Sequence, residues 1–171
     1  MSLYHYVANK EELLDAMIDS VFDEIDLPPE DIDWQTAMRQ RAVSARQTLA
    51  RHPWAIGQME SRTSPGPANL RHHEAVTACL RRAGFTVLMA THANWLLDSY
   101  VYGFALQEAS LPFEGRDSVA AIADPIMELM ATGAYPTMVE MAQTYYLQPG
   151  YDFADEFEFG LDLILDGLDR R

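Results

Sequence analysis

The sequence predicts an all-α fold. Apolar residues recur at steps of three and four along nearly every segment, which gathers them on one face of a helix. Helix-start and helix-stop residues stand where those runs begin and end. No stretch shows the strict apolar–polar alternation of a half-buried strand.

In residues 9–26, Leu13, Leu14, Met17, Ile18, Val21, Phe22 and Ile25 make one stripe. Asn9 followed by Glu12 has the spacing of a capping box. Pro28 and Pro29 end this helix, because a proline ring clashes with the preceding turn and donates no amide hydrogen. Asp33 is a suitable N-cap for a second helix, Trp34 to about Arg51. It carries Arg39, Arg41, Arg46 and Arg51 and no acid, a basic element in an acidic chain. Pro53 suits the first position of a short helix reaching about Glu60. Residues 61–67 are a loop by composition, and 68–83 read as a helix closed by Gly84.

Residues 86–109 form a long helix that is apolar on most faces, among them Val87, Leu88, Trp95, Leu96, Leu97, Val101 and Phe104. A loop follows at 110–117, and Pro125 and Pro136 divide the next stretch into short helices. The last helix, about 153–169, is again strongly apolar, with Gly160 and Gly167 nearly on one face where another helix could approach closely. Both long apolar helices exceed what the surface of one small protomer covers. Pairing them with their copies gives a homodimer through a four-helix bundle. Its expected interface is Phe104, Phe157, Gly160, Leu161, Ile164, Gly167 and Leu168. The other reading is that a single core absorbs both helices.

Charge and cysteine content narrow the function. Twenty-six acids against 12 basic residues give −14, so these residues alone repel a phosphate backbone unless the basic ones share a face. The lone Cys79 excludes an internal disulfide framework and fits a reducing compartment. The apolar stretch 87–106 is broken by His92, Asn94 and Asp98 and reads as a buried helix; with no leader pattern, a cytoplasmic protein without membrane contact is expected. A Gly-rich phosphate loop, a nucleophile elbow and a convergent metal set are all lacking, so an enzyme is not expected.

Leu3, Tyr4, His5, Tyr6, Val7, Asn9, Lys10, Leu13 and Leu14 resemble the junction in TetR-type transcriptional regulators where the DNA-recognition helix ends and the connecting helix begins. Residues 33–53 resemble the helix that opens the ligand-binding domain of the tetracycline-repressor branch. Residues 81–85 are similar to its helix-to-helix turn, 102–108 to the second half of its long helix, and 157–168 to its closing helix. The resemblance implies an N-terminal helix-turn-helix domain that reads operator DNA and a C-terminal domain that dimerises and senses a small molecule. On this pattern residues 1–8 are the remnant of the recognition helix and 9–171 the C-terminal domain, with the first two DNA-binding helices lacking. In an intact parent, Tyr4 and His5 would face DNA and Lys10 a phosphate; operator DNA is a partner only where those helices are present. So short a segment is not a stable helix alone, and here it also reads as a repacked terminus.

The resemblance puts Arg41 on the pocket-facing side of its helix, where a buried guanidinium needs a carboxylate or a ligand. Thr91, Asn94, Trp95, Asp98 and Tyr102 follow one another along the long helix by steps of one, three and four. Polar groups among large apolar ones suit an amphiphilic pocket, to which Met59, His73 and Val76 are added. The same residues also fit an ordinary core whose polar groups are satisfied internally. Tetracycline repressors chelate the drug's metal partly through a histidine in the short helix, and the matching position here is Met59. The expected ligand is therefore a small, mostly apolar or aromatic molecule, with no metal and no cofactor. Neighbouring His72 and His73 point about 100° apart on a helix and make a weak metal pair. The alternative to a regulator is a stand-alone dimeric module that binds a ligand or a partner and never touches DNA.

Overall fold

The computed structural model describes residues 9–112, 127, 128, 130 and 133–170. Tyr4 and His5, the recognition-helix remnant they belong to, and the break expected at Pro125 lie outside the described residues. All regular structure among the described residues is helical. The chain divides into two compact units, Met1–Ala109 with Leu163–Arg171, and Ser110–Asp162.

In the first unit, α1 (Lys10–Asp23) starts at Asn9, whose side chain accepts from the Glu12 amide at 3.0 Å. Its stripe buries Ile18, Val21 and Phe22. A second face of α1 is polar and equally organised. Glu11, Asp15, Asp19 and Asp23 stand four residues apart and so form one row. Arg62 reaches Glu11 at 2.7 Å and Asp15 at 2.5 Å, and Arg71 reaches Asp23 at 2.5 Å. Between them, Asp19 accepts from the Ala68 and Asn69 amides at 3.2 and 2.9 Å. Those amides open α3 (Pro67–Arg82), whose own N-cap residue, Gly66, has no side chain to offer them. A Cβ on Gly66 would lie 2.2 Å from Asp19 Cγ, so glycine is what lets α1 come this close.

Asp33 caps α2 (Trp34–Arg51), accepting from the Thr36 amide at 2.9 Å. The buried face of α2 is mostly small: Ala37, Ala42 and Ala45 beside Met38 and Leu49. The short helix expected at 53–60 is a 3-10 turn, Pro53–Gln58. α3 buries Ala68, His72, Val76, Cys79 and Leu80. Gly84, at φ +91°, turns the chain toward α4 (Val87–Ser110), and Phe85 packs edge-on against Trp34 at 4.9 Å. One side of α4 buries Ala90, Ala93, Leu97, Val101 and Ala105. Its other side leaves Leu88, Trp95, Leu96 and Leu106 exposed.

In the second unit, α5 (Pro136–Met141) runs on into a π-helical turn, Ala142–Tyr146. Tyr145, Tyr146 and Tyr151 pack together with ring centres 5.3–5.6 Å apart, and the Tyr145 hydroxyl donates to Glu156 at 2.6 Å. A 3-10 turn, Phe153–Asp155, leads into α6 (Glu156–Asp169), so the regular part of the last helix begins later than its apolar pattern suggests. Phe157, Leu161, Leu165 and Leu168 form its buried row.

Candidate ligand-binding site

Arg41 sits on the buried face of α2 and is 1% exposed. An isolated guanidinium there would carry a desolvation penalty of several kcal/mol, roughly, so its partners matter. Nη2 donates to Asp98 Oδ1 of α4 at 2.5 Å, and Nε donates to His72 Nε2 of α3 at 3.1 Å. Asp98 is 3% exposed and His72 0%. Three helices thus contribute one charged pair and one imidazole to a single buried cluster. Because His72 Nε2 accepts, the neutral ring carries its proton on Nδ1. Burial, helped by the Arg41 charge, pulls His72 down to about 3, so the ring is neutral at ordinary pH.

Asn94 and Tyr102 lie one turn before and one turn after Asp98, on its side of α4. Burial, then the negative charge of Asp98, pushes the Tyr102 phenol above its ordinary value; Glu60 adds to this without a hydrogen bond of normal geometry. Four buried polar atoms here have no hydrogen-bond partner among the described residues: Arg41 Nη1, His72 Nδ1, Asn94 Oδ1 and the Tyr102 hydroxyl. Roughly nine in ten buried polar atoms in folded proteins are partnered. Four unpartnered ones around one ion pair can receive both acceptors and a donor from a bound molecule.

The other residues expected in the pocket fall in three places. Val76 is buried one turn beyond His72 on the same face of α3, and Met59 is buried just after the 3-10 turn. His73 is half-buried and turned toward α1, its ring 5.9 Å from Phe22. Thr91 and Trp95 are exposed, and the Thr91 hydroxyl donates to the Val87 carbonyl at 2.9 Å. His72 belongs with Arg41 and Asp98, although His73 and not His72 is the histidine the sequence places in the pocket. The signal was present: His72, Val76 and Leu80 stand four apart, so Val76 on the inner face carries His72 with it and leaves His73 aside.

The basic helix does not present a uniform solvated face. Arg46 forms a two-bond pair with Glu108, at 3.0 and 2.5 Å, and lies 5.1 Å over the Phe104 ring. Arg51 pairs with Glu24 at 3.0 Å. Lys10 is the exposed first residue of α1. Of the residues expected at a dimer contact, Phe104, Phe157, Leu161 and Leu168 are buried within the chain itself. Gly160 and Ile164 are half-buried, and Gly167 is exposed.

Helices α2, α3 and α4, which bring the buried cluster together, lie within the residues that place the chain in a family. It belongs to the tetracyclin repressor-like C-terminal domain family, which matches residues 27–171, a family of regulators and not of enzymes. Among curated relatives, the chain is 35% identical over 181 aligned residues to the HTH-type transcriptional repressor DrrR1 of Streptomyces coeruleorubidus, covering 99% of this chain and 64% of that protein. It is 26% identical to the class E tetracycline repressor of Escherichia coli, covering 99% of this chain and 75% of the repressor. The chain therefore spans less than two thirds of the length of DrrR1. Among solved structures, ActR of Streptomyces coelicolor in complex with actinorhodin matches with a TM-score of 0.74 at 28% identity, over 97% of this chain and 78% of ActR. A tetracycline-repressor variant of Acinetobacter baumannii in complex with minocycline matches with a TM-score of 0.63 at 25% identity, over 98% and 74%. No helix among the described residues is long and apolar enough to cross a membrane.

Proposed function

We propose that this chain is the small-molecule-sensing and dimerising part of a TetR-type transcriptional repressor. The observation that carries the proposal is the buried Arg41–His72–Asp98 cluster with its four unpartnered polar atoms. Arg41, Asn94, Asp98 and Tyr102 supply the polar contacts to the ligand, and Met59 and Val76 supply apolar wall. His73 is half-buried and Thr91 and Trp95 are exposed, so these three contribute less. The ligand is a mostly apolar, aromatic molecule, as the actinorhodin and minocycline bound by similar structures suggest.

The homodimer forms through α4 and α6 of each copy. Trp95 and Leu96 on α4 and Phe159 and Leu163 on α6 are large apolar side chains left 43–67% exposed, and surfaces of this kind mark association. The contact uses this outer row, with Gly167 and the edges of Gly160 and Ile164, because the inner row is already covered. By the resemblance to the family, Tyr4, His5 and Lys10 would meet DNA in a full-length regulator, and residues 9–171 are the sensor.

Two measurements test this. A thermal-shift titration with flat polycyclic aromatics is expected to raise the melting temperature, since a ligand that binds only the native state stabilises it; no shift from any of them would remove the sensor reading. In a gel shift at low salt, the 171-residue chain is expected to show no sequence-selective retention of DNA. Tight selective retention would overturn the reading of these residues as a sensor that does not itself grip DNA.

A further inference from the structure

We propose that Asp19 and Gly66 form a catch through which α1 takes its position from α3, so that a change in the buried Arg41–His72–Asp98 cluster is felt in α1. This rests on the sensor reading above and names the residues through which that site acts on the rest of its unit.

The route starts at the cluster. Arg41 of α2 donates to His72 Nε2 at 3.1 Å, and this bond ties α3 to the Arg41–Asp98 pair. His72 is fully buried, so it has no solvent to turn to when that donor is lost. The strain falls on α3. A helix moves as a rod, because each turn is hydrogen-bonded to the next. Ala68 stands one turn before His72 on the same buried face and moves with it. The Ala68 and Asn69 amides are where α1 has its hold: Asp19 accepts from both, at 3.2 and 2.9 Å.

Two features make this hold firmer than the ion pairs beside it. The Asp19 carboxylate meets the positive end of the α3 dipole as well as two amide donors. It is also seated directly against the α3 backbone, since a Cβ on Gly66 would lie 2.2 Å from Asp19 Cγ. The Arg62–Glu11 and Arg71–Asp23 pairs each include a carboxylate more than half exposed, and exposed pairs contribute little. Arg62–Asp15 is better covered, but Arg62 precedes α3 and is not part of it. Glu24, which takes Arg51 and His52 of the α2 end at 3.0 and 2.9 Å, lies past the last residue of α1. The Phe22 ring, 5.5 Å from that of His72, gives α1 a second contact with α3, which the experiment must separate from the catch.

Native-state hydrogen exchange on the full chain tests the catch. No ligand is added, so a failure here leaves the sensor reading standing. The cluster is perturbed by Arg41→Met with Asp98→Leu, which takes the donor from His72 without touching α1 or α3. Arg41→Lys is the second perturbation; it keeps a positive charge for Asp98 but has no Nε. The Val21 and Phe22 amides report on α1, and the Ala105 amide, two turns past Asp98 on α4, is the reference. Exchange in α1 is expected to rise roughly tenfold, the worth of one buried hydrogen bond, with the reference unchanged. In an Asp19→Ala background the same perturbations should leave α1 where Asp19→Ala alone puts it, because the catch is already open. Asp19→Asn keeps an acceptor for the two amides and should keep the dependence. Equal rises in α1 with and without the Asp19 carboxylate would overturn the catch and assign the coupling to Phe22. A rise shared equally by the reference would also overturn it, as general loosening, and so would no rise in α1 at all.

Discussion

At Arg41 the folded chain holds a full charge out of water, and the consequences are measurable at single residues. Removing one partner of a buried pair leaves the other uncompensated, which destabilises by about 3–5 kcal/mol. Asp98→Ala is therefore expected to lower the urea-unfolding free energy by that amount. Replacing both partners with apolar side chains, Arg41→Met with Asp98→Leu, should be less damaging than the single change, because no charge is then stranded. A double variant as unstable as the single would mean that shape, and not charge, dominates the site. His72 gives a second residue-scale prediction. Its folded value, about 3, lies below its ordinary 6.5, so between these the unfolded chain binds a proton that the folded chain refuses. The stability from a neutral His72 is fully present above pH 6.5 and is lost as pH falls toward 3, with a slope of up to about 1.4 kcal/mol per pH unit. Glu24 and Asp33 are held low by their partners and so act only beneath their ordinary 4.5 and 3.8. Urea melts between those values and 6.5 should show the His72 slope, and His72→Gln should flatten it; an unchanged slope in the variant would place the titration elsewhere.

The elements are joined by local rules that were legible in the chain, and by one that was not. Asn9, Asp33, Pro53, Gly84 and the apolar spacing placed the starts of the first four helices to within a residue, because caps and breakers act through neighbouring backbone; α1 ends at Asp23, three residues short of the expected 26 and well before the prolines. The acid row of α1 escaped notice, since its partners lie about fifty residues away in sequence and spacing alone reads as a solvated face. Its central rung is also the N-cap of α3, supplied from another helix. Gly66→Ala would drive a methyl into Asp19 and push the carboxylate off the Ala68 and Asn69 amides, for a loss of about 1 kcal/mol, as for other lost caps. Asp19→Ala should cost a similar amount. In a double-mutant cycle the two are expected to be strongly non-additive, because once the carboxylate is gone the new methyl has nothing to strike. Full additivity by thermal or urea melts would show that glycine serves α3 independently of Asp19.

At the scale of the molecule, composition and periodicity told which helices carry surplus apolar surface but not which side faces inward. α4 and α6 are apolar on two faces, so periodicity selects a helix without selecting a face. The inner row of α6 is Phe157, Leu161, Leu165 and Leu168; the outer row, two residues on, begins with Phe159 and Leu163. The buried cluster was legible only in part: Asp98 stood out as a charge on an apolar helix, Arg41 was singled out among the four arginines of α2 by the family resemblance, and His72 was hidden in a doublet whose register only α3's packing decides. The outer row makes association testable without disturbing the core. Leu163 is 61% exposed in the single chain, so Leu163→Glu removes no buried contact within it. In a dimer sealed by that row, the change sets two carboxylates close to the two-fold axis, where burial and mutual repulsion both oppose association. Light scattering is expected to give a dimer for the parent chain and a monomer for Leu163→Glu at micromolar concentration, with helical circular dichroism unchanged. The control is Phe157→Leu, on the inner row, which should lower the melting temperature and leave the mass of the assembly alone. A Leu163→Glu protein that stays dimeric would move the interface off α6 altogether.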